Sequence, residues 1–135
     1  MRVRCIAVAG TALLVATLAG ADENSELRAI GEGRALYLTN CASCHGPDAT
    51  GLTGRDLTGI AQRDRTFSRL HVANHVQGCR DGRAGDPMPT WGAVFARTWP
   101  GGTGAAALKT KKLVRYLEFV QAGPPPAAVA SAQPR

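Results

Sequence analysis

Along "LKTKKLVRYLEFVQ" the apolar residues Leu113, Tyr116, Leu117 and Val120 recur at i, i+3, i+4 and i+7, with lysines before them and an arginine and a glutamate between them. That spacing lays one apolar stripe along a helix and predicts the clearest amphipathic element of the chain. A second helix is predicted in "RTFSRLHVANHVQG": Phe67, Leu70, Ala73 and Val76 form the apolar side, Asp64 or Thr66 offers a cap, and Gly78 ends it. A third is predicted over "DENSELRAIGEGRALYLTN", whose opening acids suit the positive end of a helix and whose Leu27, Ile30, Gly33 and Tyr37 lie close to helical spacing.

Between these segments the pattern is lost. Gly46 to Gly59, "GPDATGLTGRDLTG", is dense in Gly, Thr and Asp without a sustained apolar period, which is loop chemistry. Gly and Pro punctuate the stretch from Cys79 to Ala107 as well, with room for one helical turn between Gly92 and Thr98. Three helices, long loops and no strand pattern predict an all-α fold. The end, "GPPPAAVASAQPR" (124–135 in its Pro/Ala-rich part), cannot continue a helix or build a core and is expected to be a flexible tail.

The N-terminus differs from all of these. Arg2 and Arg4 precede an apolar run from Cys5 to Ala19, and Ala19-Gly20-Ala21 follows in a small-x-small pattern. This is the layout of a secretory signal peptide over residues 1–21, cleaved after Ala21. The run is shorter than the roughly 20 residues a spanning helix needs, so no stable membrane insertion is expected after cleavage. The expected domain is therefore residues 22–123.

A chain of 135 residues has room for one compact domain, which excludes a multidomain enzyme and makes a cofactor the source of any demanding chemistry. Losing Arg2 and Arg4 with the leader lowers the formal charge of +6 by two. The modest positive balance that remains suits an acidic protein face and is too weak to argue for nucleic acid. Cleavage also removes Cys5, leaving Cys41, Cys44 and Cys79, an odd number from which a disulfide framework would leave one thiol over.

The sharpest chemical signal is "NCASCHG", in which Cys41 and Cys44 bracket two residues and His45 follows directly. C-x-x-C-H is the attachment signature of haem c: two thiols add to the vinyl groups and the adjacent imidazole reaches the iron. A redox thiol pair expects a βαβ setting, and no strand precedes this one. A zinc site needs further ligands, for which Cys79, His71 and His75 are the candidates. The two histidines fall with Ser68 on the polar side of the second helix, which reads as solvated. A large apolar disc at the centre also suits a chain with only 5% aromatic residues.

The second axial position decides between electron transfer and small-molecule chemistry. In "GDPMPTWG" Met88 stands between Pro87 and Pro89, which fix the backbone on both sides and can hold a soft thioether at a metal.

With CASCH, a later Met-Pro loop and a terminal amphipathic helix in this order, the chain resembles the class I c-type cytochromes over nearly all of Asp22 to Gly123. The resemblance implies an all-α cytochrome c fold of three to five helices and long loops around one covalently attached haem c and its iron. Cys41, Cys44, His45 and Met88 would bind the cofactor, with His45 and Met88 as the metal ligands. It further implies that Gly33 and Tyr37 allow the first and last helices to cross closely, and that Trp91 is a candidate for the haem pocket. Many family members carry a proline after the haem motif whose carbonyl accepts a hydrogen bond from the proximal histidine; Arg55 stands there in this chain, leaving a backbone carbonyl for the role. Cys79 matches no family feature.

The implied function is that of a periplasmic electron carrier rather than an enzyme. Its redox partner proteins would be a dehydrogenase as donor and an oxidase, a reductase or another cytochrome as acceptor. The alternatives are a dedicated haem subunit of a periplasmic dehydrogenase and a gas-binding or peroxidase-like haem protein.

Overall fold

A computed structural model describes residues 9–79 and 88–123, with side chains described from Asp22 onward. Cys5 and the arginines of the expected leader, Pro87 and the expected tail lie outside the described residues. In chain order the elements are α1 (Ala9–Asn40), α2 (Ala42–His45), α3 (Ile60–Arg63), α4 (Arg69–Gln77), α5 (Trp91–Thr98) and α6 (Gly102–Phe119), followed by a 3-10 turn over Val120–Ala122. Among the described residues there is no strand, and no helix is long and apolar enough to cross a membrane. The described residues thus have the expected all-α architecture; beside four longer helices, α2 and α3 are single turns of four residues each, set within the cysteine motif and the Gly-rich loop.

The element α6 is the hub, packing against α1, α5 and α4. All four residues of its predicted stripe, Leu113, Tyr116, Leu117 and Val120, are buried at 5% exposure or less, and Val114 joins them. At the crossing of α1 and α6 sits Gly33, where a Cβ would lie 2.1 Å from the Lys112 carbonyl oxygen and 2.9 Å from the Tyr116 Cβ. Only a residue without a side chain lets the two backbones approach this closely. One turn further on, the Tyr37 and Tyr116 rings meet with centroids 5.2 Å apart. Ion pairs flank the crossing: Lys112 with Glu32, and Arg115 with Glu26 at 3.2 Å.

Two sequence expectations about α1 differ from the structure. The helix does not open at the acids near Asp22 but runs unbroken from Ala9. The stretch before Asp22 is rich in Ala and Leu, the strongest helix formers, which outweigh a cost of about 1 kcal/mol for each of Gly10 and Gly20. Leu27, expected on the apolar side with Ile30, is 52% exposed. At its level α1 meets α6 through the Glu26–Arg115 ion pair instead of apolar contact.

In α4 the cap and the apolar face are also redistributed. Ser68, in an extended conformation, is the N-cap, its hydroxyl accepting from the His71 N–H. Asp64 and Thr66 fall too early. Val72 and Val76 are buried, an i, i+4 pair, whereas Leu70 is 72% exposed. Phe67 precedes the helix and reaches the core from the loop, so it does not share the helix stripe. Gly78 ends α4 as expected, at a left-handed φ of 94°.

The segment Gly92 to Thr98 forms more than one turn, because Trp91, Phe95 and Trp99 add an aromatic row along α5. Trp91 and Phe95 have ring centroids 5.6 Å apart, Phe95 and Trp99 5.2 Å apart and edge-on, and the Lys109 ammonium lies 5.0 Å over the Trp99 ring. Such ring contacts add to the area that Phe95 buries.

Candidate cofactor site

The motif grows out of the end of α1. Cys41 and His45 continue the helical hydrogen-bond ladder, the Cys41 N–H donating to the Tyr37 carbonyl and the His45 N–H to that of Cys41 at 2.9 Å. The chain then turns at Gly46, whose φ of 81° favours glycine. Tyr37 fastens this turn: its hydroxyl, buried, donates to the Gly46 carbonyl at 2.6 Å. Burial pushes both the Tyr37 and Tyr116 phenols above their ordinary range, for Tyr116 against a partial opposing effect of Arg34.

The Gly-rich loop then folds back over the imidazole. Leu52 and Gly54 N–H groups donate to the Cys44 carbonyl at 3.1 and 2.7 Å, and the Gly51 N–H to that of His45 at 2.8 Å. A Cβ on Gly54 would lie 2.9 Å from the ring atoms of His45, so this glycine is what allows the loop to close. The closure puts the Arg55 carbonyl oxygen 2.7 Å from His45 Nδ1. A carbonyl oxygen only accepts, so Nδ1 carries a proton and donates, and in the neutral ring Nε2 then keeps the free lone pair. The substitution of arginine for the family's proline leaves this bond intact because it is made by backbone.

Local bonds stiffen the loop. Asp48 accepts from the Thr50 hydroxyl at 2.8 Å and Asp56 from the Thr58 hydroxyl at 2.7 Å, and these bonds hold both carboxyls below their ordinary values. Ala49, fully buried at a left-handed φ of 67°, anchors the loop in the core.

The two thiols differ. Cys41 is buried, and burial followed by the nearby Cys44 pushes its pKa up to about 11. Cys44 is exposed, and neither thiol is in a disulfide. Cys79, exposed just after α4, is also a free thiol. Among the described residues no group of three or more His, Cys, Asp and Glu side chains is arranged to hold a metal ion, so the zinc ligands weighed in the sequence are not brought together. His71 and His75 are exposed on α4.

Met88 is half-buried and packs against the same apolar cluster as Cys41, together with Leu57, Phe67 and Trp91. Two glycines set the approach of its segment to α4: a Cβ on Gly78 would meet Thr90 at 2.4 Å, and one on Gly92 would meet the Gln77 carbonyl oxygen at 3.1 Å. Trp91 lies between the main cluster and Phe95.

One contributor had no sequence signal. Gln121, in the terminal 3-10 turn, donates from Nε2 to the Leu57 and Leu117 carbonyls, each at 2.8 Å, and accepts from the Ala61 N–H at 3.0 Å. A polar residue following the last apolar position of a stripe looks like any solvated helix end.

The residues present suit a covalently held haem: two unpaired thiols three positions apart, an imidazole with Nδ1 engaged and Nε2 available, and a thioether in the same apolar cluster. Comparisons with known proteins agree. The chain is 37% identical over 76 residues to a cytochrome c55X of Pseudomonas aeruginosa, covering 56% of this chain and 60% of that protein. It is 43% identical over 44 residues to a cytochrome c-553-like protein of Synechocystis sp., covering 33% and 39% respectively. The matches thus span less than two thirds of either relative. No solved structure matches. The family model for cytochrome c matches residues 30–129, which takes in the cysteine motif, the Met88 segment and α6, and the chain belongs to the cytochrome c family.

Proposed function

We propose that this chain is an exported, periplasmic one-electron carrier in which His45 and Met88 are the axial ligands of a haem c bound through Cys41 and Cys44. The observation that carries the reading is the His45 Nδ1–Arg55 carbonyl bond at 2.7 Å, made at the end of the Cys-x-x-Cys turn. It fixes the tautomer and plane of the ring and makes Nε2 a stronger donor, as metal-bound histidines require of their outer partner. When bound, the haem supplies a ferric/ferrous couple that takes up and releases single electrons.

The residues around it have separable roles. Cys41 and Cys44 tether the group by thioether bonds, so it cannot dissociate with change of oxidation state. The Gly46–Gly59 loop covers His45, and the apolar cluster of Leu57, Phe67 and Trp91 keeps water from the buried side. As the second ligand, Met88 would favour the ferrous state relative to a second histidine and would close the iron to a gas or peroxide. Export is supported by the signal-like residues 1–21 and by the chemistry of covalent haem attachment. The positive charge balance supports encounter with acidic partner proteins at rates that fall as salt rises.

The test is carbon monoxide titration of the reduced holoprotein at neutral pH, with Met88→Ala in parallel. Resistance in the wild type, with ready binding and a lower potential in the variant, is expected. Ready binding by the wild type would overturn the Met88 assignment and favour small-molecule chemistry.

A further inference from the structure

The acceptor for the His45 ring sits in a loop whose own side chains make only local bonds, Asp48 with Thr50 and Asp56 with Thr58. On the N-terminal side of Arg55 the loop is held by the Gly54 N–H on the Cys44 carbonyl; on the C-terminal side a further anchor comes from the other end of the chain. Gln121 uses its whole amide: Nε2 donates to the carbonyls of Leu57 and Leu117, and Oε1 accepts from the Ala61 N–H. Two partners are acceptors and one is a donor, so the amide has a single satisfactory orientation. Ala61 lies in the first turn of α3, where the N–H groups have no partner within the helix. Gln121 supplies that partner from α6's end.

Its contact points in the loop and α3 lie just after the residue that matters for the imidazole. Arg55 lies two positions before Leu57. The Leu57 N–H closes back on the Ala49 carbonyl at 2.8 Å, while its own carbonyl is held by Gln121. Arg63, in the same short helix as Ala61, donates from Nη2 to the Asp56 carbonyl at 3.0 Å. The peptide units on the C-terminal side of Arg55 are thus tied to the end of α6, which is itself fixed by the core through Leu117 and Val120.

We propose that Gln121 is a positioning residue for the proximal ligand: it clamps Leu57 and Ala61 to the end of α6, thereby holds the Arg55 carbonyl on His45 Nδ1–H, and so tunes the reduction potential. The proposal rests on His45 being a haem ligand. A carbonyl held on Nδ1–H strengthens the imidazole as a donor and favours ferric iron. Releasing the clamp weakens that bond and moves the potential in the positive direction.

The experiment uses the full-length holoprotein with Gln121→Ala and Gln121→Glu, and with Ser68→Ala as a variant that weakens α4 without touching the loop. Two quantities are read: the potential by redox titration, and the exchange of the His45 Nδ1 proton by NMR of the ferrous form, in which ring-current shifts of the imidazole protons report ligation independently. Gln121→Ala should exchange this proton about tenfold faster, the order expected for losing one net hydrogen bond of the loop, and have a more positive potential. Gln121→Glu should shift both in the same direction, because a carboxylate accepts from Ala61 but cannot donate to Leu57 or Leu117. Ser68→Ala should leave both unchanged. If Gln121→Ala does not assemble, Gln121→Glu, which keeps size and one bond, carries the same test. Unchanged exchange and potential in the Gln121 variants, with the ring-current shifts intact, would overturn the clamp. Absence of those shifts in the wild type would overturn the ligand reading and the clamp with it.

Discussion

The Tyr37 ring is fully buried and its hydroxyl donates to the Gly46 carbonyl, so one side chain serves both the helix crossing and the turn after His45. Tyr37→Phe keeps the ring and removes the bond; the Gly46 carbonyl then lies buried without this donor, and unfolding free energy should fall by about 1 kcal/mol in denaturant titration. The cysteines offer a second test at this scale. Because burial pushes the Cys41 pKa up to about 11 while Cys44 is exposed, iodoacetamide should alkylate Cys44 first in the haem-free chain near neutral pH. Mass mapping after brief labelling checks this, and equal rates at the two thiols would contradict the buried placement of Cys41. Cys41, Cys44, His45 and Met88 stand out along the chain as candidates through a pattern of chemical types. The Tyr37 and Gln121 bonds were not legible, since a hydroxyl or an amide declares no partner until the chain is folded.

Among the elements, the part of α6 from Leu108 onward was legible almost residue by residue, because a helix packed on several sides needs a broad stripe and shows it; its first six residues, Gly102 to Ala107, were expected to be loop, since glycines and small alanines carry no apolar period. The short α4 was legible in existence, in its end and in part of its face: Ala73 and Val76 lie on the core side as expected, and Leu70 does not. With a single pair of buried valines, a rotation of its face by one position costs little, and Leu70 is left in solvent. The contact of α1 with α6 depends on Gly33. Gly33→Ala gains about 1 kcal/mol of helix propensity but drives a Cβ to 2.1 Å from the Lys112 carbonyl oxygen, a backbone atom that no rotamer change can move. Overpacking should dominate, lowering stability by about 3 kcal/mol, measurable as an earlier urea midpoint. The flanking ion pairs are partly exposed and are not expected to compensate.

At the scale of the molecule, three carboxyls link stability to pH. The Lys112 hydrogen bond holds Glu32 below its ordinary value of 4.5 against a partial opposing effect of burial, and the Thr50 and Thr58 bonds hold Asp48 and Asp56 below 3.8. A carboxyl depressed in the folded state contributes stability above its unfolded pKa and loses it as pH falls through the folded value. The thermal midpoint should therefore be insensitive to these groups at neutral pH and decline on acidification below about pH 4.5, and Glu32→Gln should flatten part of that decline. A midpoint that rises on acidification would contradict the assignment. The sequence by itself determined the all-α class, the terminal helix and the attachment chemistry, because periodicity and the spacing of cysteine and histidine are properties of neighbours along the chain. What only the tertiary structure decided is how these parts act together: the Gly33 crossing, the loop that closes over His45 because Gly54 has no side chain, the Arg55 carbonyl on Nδ1, and the grip of Gln121 on Leu57 and Ala61. Each joins groups distant in sequence through backbone carbonyls and N–H groups that every residue possesses, so no residue type along the chain could mark them in advance.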